Sequence, residues 1–310
     1  MADSRLSVYA AIGANVAIAG TKFVVASITG SSAMLSEGVH SAVDTLNGVL
    51  LLLGLRLSQR PATAEHPFGH GKELYFWSLI VAVLVFGLGG GVSVFQGVEQ
   101  IRHPARLGEP LWNYVVLAAA ALFEGASLAV SLRQFRRRHG EAPFWEALHR
   151  SKDPANYMVL AEDGAALVGL AIAAIGIALS EHFDAPVIDG IASLLIGLLL
   201  ACVALLLIRE SRGLLIGEGI RIETARAIRQ IAMDEPAVRK VGPILSMYIG
   251  PDEALVTMDL DFDEACAAGE ATAAIAQVER RVRERFPMIR RLFIDAGAVA
   301  VDRDAPAKSR

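Results

Sequence analysis

The stretch VIDGIASLLIGLLLACVALLLI, residues 187–208, decides the fold class. It carries one charge, Asp189, close to its start. A helix rises 1.5 Å per residue, so this run reaches about 33 Å, enough for a hydrocarbon core of about 30 Å. Five further stretches read the same way: Val8–Ile28, Met34–Leu57, Tyr75–Val98, Leu111–Leu132 and Pro154–Leu179. The third is as clean as the sixth. The second and fifth carry charges inside, so they rest less on hydropathy. The first is longer than a signal peptide and offers no fitting small-residue cleavage site.

The 310 residues are 54% hydrophobic and 20% charged, with a mean hydropathy of +0.45. Soluble domains sit near about 45–50% and 25%. The excess belongs to residues 1–210, read as a six-span domain, while 211–302 read as a polar domain and 303–310 as a disordered tail. The apolar content excludes disorder. Two cysteines, Cys202 and Cys266, exclude a disulfide scaffold and share no motif with each other or with a histidine. A net charge of −4 gives no nucleic-acid signal.

Loop charges set the orientation. With the N-terminus inside, the inner segments carry Arg5; Arg56, Arg60 and Lys72; and Arg133, Arg136, Arg137, Arg138, Arg150 and Lys152. The outer loops carry Arg102 and Arg106 only. This is the positive-inside pattern, and six spans return the chain to the cytoplasm before Arg209–Arg212. There Ile222–Ala232 reads as a helix, Val241–Ile249 as a strand and Gly250-Pro251-Asp252 as a turn. Val256, Met258, Leu260 and Phe262 alternate with polar residues, which predicts a half-exposed strand over Ala254–Asp263. A helix over Gly269–Phe286 and a strand over Arg291–Ile294 complete an α-β-β-α-β order. The fold class is therefore a six-helix transmembrane bundle followed by a cytosolic, ferredoxin-like α/β domain.

Ionisable groups inside spans cost about 2.5–3.5 kcal/mol each on insertion scales, so they are functional candidates. Glu37, His40, Asp44 and Asn47 lie along one helix face at offsets of 3, 7 and 10 from Glu37. His40 and Asp44, at i and i+4, can grip one ion. The fifth span holds Glu162 and Asp163, whose directions differ by about 100°, with Asn156 on the Asp163 face. Asn15, Lys22 and Glu124 lie in the first and fourth spans. Imidazole plus carboxylate is a borderline ligand set that suits Zn²⁺, and also Mn²⁺, Fe²⁺ or Co²⁺. His40, Asp44 and Asp163 would supply three tetrahedral ligands, with Glu162, Glu37 or water as the fourth. The competing reading is interhelical hydrogen bonding and salt bridging, with Lys22 as a partner for Glu37, Glu124 or Glu162. For Asn15, Asn47 and Asn156, packing support outweighs a ligand role.

The text Ser36-Glu-Gly-Val-His-Ser-Ala-Val-Asp44, followed by His66-Pro-Phe-Gly-His70-Gly-Lys-Glu73, resembles the cation diffusion facilitator family. Ser151-Lys-Asp-Pro, Val159-Leu-Ala-Glu-Asp163-Gly-Ala-Ala and Phe123-Glu-Gly-Ala-Ser are similar to its zinc-transporter-nine-like branch. The resemblance covers essentially the whole chain. It implies a homodimeric exporter of divalent metal, commonly Zn²⁺, exchanged for protons by alternating access. It places His40, Asp44 and Asp163 at three of four positions of the intramembrane metal site, with Val159 at the fourth. His66 and His70 match a loop metal site whose acidic position is Thr63 here, and loop anchoring is an equal reading. Asp259 and Asp295 fall near tail positions where relatives use histidine, which implies a tail without metal and a dimer held by packing.

The expected cycle loads metal from the cytoplasm and releases it outward against incoming protons, with His40, Asp44 and Asp163 carrying them. The transported ion is substrate, and no resident cofactor is expected. The glycine-rich run Gly87–Gly91 predicts close helix packing or bending. A passive metal channel and a metal-binding sensor are the alternatives. The sequence contains no HExxH motif, serine–lysine pair or suitably spaced catalytic aspartates, which argues against an enzyme. Without a transit peptide, the bacterial inner membrane is the expected home, with both termini cytoplasmic.

Overall fold

The computed structural model describes residues 2–105, 111–139, 154–263 and 266–296. The expected tail 303–310 lies outside them. The chain divides into two compact units, Met1–Pro61 with Glu73–Arg212, and Ala62–Lys72 with Gly213–Arg310.

The first unit is built of helices: α1 (Ala2–Thr29), α2 (Ser32–Ser58), α3 (Glu73–Arg102), α4 (Leu111–His139), α5 (Pro154–His182) and α6 (Val187–Ile216). Every expected span falls inside one of them. In lipid each backbone polar group must be satisfied within its own segment, and helices do this. Five helices, α2 to α6, are long and apolar enough to cross a membrane, and the described apolar part of α1, Asn15–Thr29, is shorter. The helices outrun the apolar stretches. Hydropathy marks where lipid ends, whereas α6 continues through Arg209–Arg212 to Ile216.

Side chains are distributed inside out. Leu122 is 76% exposed and Leu206 64%, while Lys22, Glu37 and Asn47 are 0% exposed. That arrangement suits a solvent of acyl chains rather than water. Between α1 and α2 the chain turns at Gly30, whose φ of +71° is cheap only for glycine. Ser31 then caps α2, its hydroxyl accepting from the Met34 amide at 3.1 Å. Asp189 closes the same corner from α6. Its carboxylate accepts from Ser31 Oγ and from the Ser32 amide, both at 2.6 Å, and from Ser32 Oγ at 2.8 Å.

Helices α3 and α6 meet backbone to backbone. A Cβ on Gly97 would stand 2.7 Å from the Gly190 carbonyl oxygen and the Leu194 nitrogen, and one on Gly197 would stand 2.8 Å from the Val94 nitrogen. Small residues allow this approach, which dispersion rewards where lipid gives no hydrophobic drive. The glycine-rich run contributes to close packing, and it lies in a stretch of altered helical winding. Gly90 packs near the Gly197 carbonyl oxygen, and Val85–Gly90 forms a π-helical segment inside α3. Ser193 Oγ donates to the Ser93 carbonyl at 2.9 Å and pairs with Ser36 Oγ at 2.5 Å, tying α6 to α3 and α2.

The second unit contains α7 (Ile222–Met233), β1 (Val238–Gly250), β2 (Glu253–Phe262), α8 (Ala268–Arg285) and β3 (Ile289–Ala296). The α-β-β-α-β order is the one expected. β2 is central, antiparallel to β1 and parallel to β3. Burial alternates along β2, with Ala254, Val256, Met258 and Leu260 inward against Ile228 of α7 and Val278 and Val282 of α8. Asp259 and Asp295 stand opposite each other across the β2–β3 pair.

The segment 62–72 is part of this unit. A Cβ on Gly71 would collide with the Ile249 carbonyl oxygen at the end of β1. The Arg291 guanidinium of β3 lies 5.5 Å from the Phe68 ring centroid, within cation–π range. Lys72 Nζ donates to the Leu215 carbonyl at 3.3 Å.

Candidate functional site

The polar face of α2 is buried as its spacing predicts. Glu37 and Asn47 are 0% exposed and His40 is 2% exposed. His40 Nδ1 lies 3.4 Å from Asp44 Oδ1. Yet both ring nitrogens of His40 and Oδ1 of Asp44 are buried without a hydrogen-bond partner among the described residues. An orphaned buried polar atom normally costs about 1–3 kcal/mol. Three such atoms stand together here, on side-chain types able to ligate a metal or carry a proton.

The other candidates divide by direction. Glu37 is engaged by α1, since Lys22 Nζ donates to its Oε2 at 3.1 Å and to Ser41 Oγ at 2.7 Å. This is the pairing with Lys22 that competes with a ligand role. Glu162 faces α2, its Oε1 accepting from Asn47 Nδ2 at 3.0 Å. Asp163 faces α4, its Oδ2 accepting from Ser127 Oγ at 2.8 Å. The two adjacent carboxylates thus serve different neighbours, as their separation of about 100° around the helix requires.

Electrostatics join what direct contacts do not. Asp44 interacts with the charges of Glu124, Lys22, Asp163 and Glu37. Glu124, half-buried on α4, interacts with Lys22, Asp163 and His40. Among the described residues no three His, Cys, Asp or Glu side chains lie close enough together to hold a metal ion. His40 and Asp44 are brought together, whereas the hydrogen bond of Asp163 is to Ser127 of α4. Val159, one turn before Asp163, is partly buried and brings no ligand. Asn15 is exposed, and the side chain of Asn156 lies outside the described set. His66 and His70 sit in the second unit with ring centroids 4.5 Å apart. There the Thr63 hydroxyl accepts from the His66 backbone amide at 3.1 Å, a contact that uses neither imidazole.

Sequence reasoning missed Asp189, Ser127 and the serine contacts of α6. Asp189 is fully buried, but its place at a span end makes it read as an ordinary boundary charge. Its signal is the serine pair after Gly30, which offers donors without supplying an anion. Ser127 is a small polar residue in an apolar run, and nothing local distinguishes it from packing.

Residues 8–216 match the family described as the cation efflux transmembrane domain. The chain is 35% identical over 237 residues to the proton-coupled zinc antiporter SLC30A9, mitochondrial, of Xenopus laevis, covering 76% of this chain and 42% of that protein. It is 32% identical over 262 residues to metal tolerance protein C4 of Arabidopsis thaliana, covering 84% and 57%. With the cation-efflux pump FieF of Pectobacterium atrosepticum the identity is 27% over 264 residues, covering 84% and 81%. The chain therefore spans less than half the length of the zinc antiporter it matches. From its buried polar helix face, its inside-out bundle and the match across that bundle, the chain belongs to the cation efflux family of multi-pass membrane proteins.

Proposed function

We propose that the protein is a proton-coupled antiporter of divalent metal, with Zn²⁺ as its main substrate, working by alternating access. The observation that carries this reading is the unsatisfied His40–Asp44 pair in a buried bundle face. A stable core satisfies such atoms, and a transport site leaves them for its cargo. The zinc antiporter and efflux-pump names of the relatives support the same direction.

In this reading His40, Asp44 and Asp163 bind the ion. Lys22 holds Glu37, so the fourth position falls to Glu162 or water. Every ligand must be deprotonated to bind metal, so metal and protons compete for the same atoms. His40 is the natural proton carrier, because the ring nitrogen that would bind the metal also accepts a proton. Metal enters from the cytoplasm, protons from the far side displace it, and the protonated site returns. The protein works as a homodimer in the inner membrane of a bacterium, with both termini in the cytoplasm. His66 and His70 anchor the loop 62–72.

Purified protein in proteoliposomes with a pH gradient tests this. Zn²⁺ uptake should follow the gradient, and His40→Ala or Asp44→Ala should abolish it. Full transport by Asp44→Ala refutes the site. Uptake indifferent to collapse of the gradient refutes antiport and favours a passive channel, and saturable binding without flux favours a sensor.

A further inference from the structure

Lys22 is fully buried, and its ammonium meets α2 three times. It donates to Glu37 Oε2 at 3.1 Å and to Ser41 Oγ at 2.7 Å, and it reaches the Glu37 carbonyl oxygen at 3.5 Å. Three N–H donors thus find three acceptors. Glu37 stands one turn before His40 on the same helix face. Its second oxygen, Oε1, is buried without a hydrogen-bond partner among the described residues. That oxygen occupies the space over Gly169 of α5, where a Cβ would come within 2.5 Å of it. A carboxylate with a spare oxygen therefore sits between α2 and α5, engaged on its other side by the Lys22 ammonium.

We propose that Lys22 determines metal selectivity by holding Glu37 out of the coordination sphere formed by His40, Asp44 and Asp163. The proposal rests on the transport reading above. With Lys22 present, the ion meets one imidazole and two carboxylates, a borderline set that suits Zn²⁺. Without it, Glu37 adds a third carboxylate one turn from His40. The site becomes richer in hard oxygen and more negative, which shifts preference toward Mn²⁺. A pair that only pinned α1 to α2 would change stability, and binding of both metals alike.

The test uses the full chain as Lys22→Met, Lys22→Gln and the double variant Lys22→Met/Glu37→Met. Each is titrated calorimetrically with Zn²⁺ and with Mn²⁺ and assayed for uptake of both. Each single variant should narrow the preference for Zn²⁺ over Mn²⁺ by about tenfold or more, a difference of affinities that one added ligand can supply. The double variant should return to within about twofold of the unaltered protein, because a buried ion pair is often replaceable by apolar side chains. Lys22→Gln keeps a donor for Ser41 and serves where Lys22→Met does not assemble. An unchanged ratio in the single variants overturns the proposal, as does a narrowed ratio that persists in the double variant. If the unaltered protein binds metal without flux while the ratios still shift, the transport reading falls and the role of Lys22 stands.

Discussion

Replacing Asp189 by alanine should release the start of α2. The fully buried carboxylate receives three short hydrogen bonds at 2.6, 2.6 and 2.8 Å, and a longer approach from the Ala33 amide at 3.4 Å. Hydrogen bonds to a charged group contribute about 1.5–3 kcal/mol each, so a plain sum reaches about 4.5–9 kcal/mol. The true cost is smaller. The hydroxyls of Ser31 and Ser32 can rotate to other acceptors, whereas the Ser32 amide cannot. The Ser32 amide is left buried without a partner, at about 1–3 kcal/mol, and the hydroxyl bonds are lost in part, so about 3–4 kcal/mol is the value expected for Asp189→Ala. Asn at this position keeps one acceptor oxygen and the volume, so Asp189→Asn should cost about 1–2 kcal/mol. Reversible unfolding in mixed micelles by titration with dodecyl sulfate, followed by tryptophan fluorescence, separates the two. Hydrogen exchange at Ser32 and Ala33 should accelerate in Asp189→Ala before it does elsewhere. An alanine cost below about 1 kcal/mol, within the range of ordinary surface substitutions, would refute the reasoning. So would equal costs for alanine and asparagine.

Gly97→Ala should force α3 and α6 apart and cost about 1–3 kcal/mol in the same titration. Gly48→Ala, which meets open space, should be neutral or slightly stabilising through helix propensity. In the second unit, Gly71→Ala should dislodge the segment 62–72 from the Ile249 carbonyl, and hydrogen exchange across those residues should rise while β2 stays protected. Burial, and then the charge of Glu218, pushes the Tyr248 phenol above its usual value. A raised phenol favours the folded state while protonated. Its contribution is full below about pH 10 and is lost as pH rises through the higher folded value. Comparing the absorbance titration at the phenolate band with that of Tyr248→Phe checks this.

Helix positions were legible because a bilayer imposes one length on every span and the apolar runs obey it. β2 was legible for a similar reason: Val256, Met258 and Leu260 repeat every second residue, and that period has one structural solution. The face of α2 bearing Glu37, His40 and Asp44 followed from spacing within one helix. Contacts between helices were not legible. Asp189 meets Ser31 across 158 positions and Glu162 meets Asn47 across 115, and no local pattern encodes such a meeting. The sequence offered Lys22 as a partner for Glu37, Glu124 or Glu162 without choosing among them. Only the packing of α1 on α2 selects Glu37. The membership of 62–72 in the second unit was equally hidden, because nothing in the sequence links Gly71 to the Ile249 carbonyl that stands against it.

That membership has a consequence for truncation. The chain crosses between the two units at Pro61 to Ala62, at Lys72 to Glu73 and at Arg212 to Gly213. Two of the three lie beside α2, the helix that bears His40 and Asp44, and α3. Cutting the chain after Arg212 would therefore leave behind a docked piece of the lost unit, with Phe68 and Gly71 stripped of the surface they were shaped to meet.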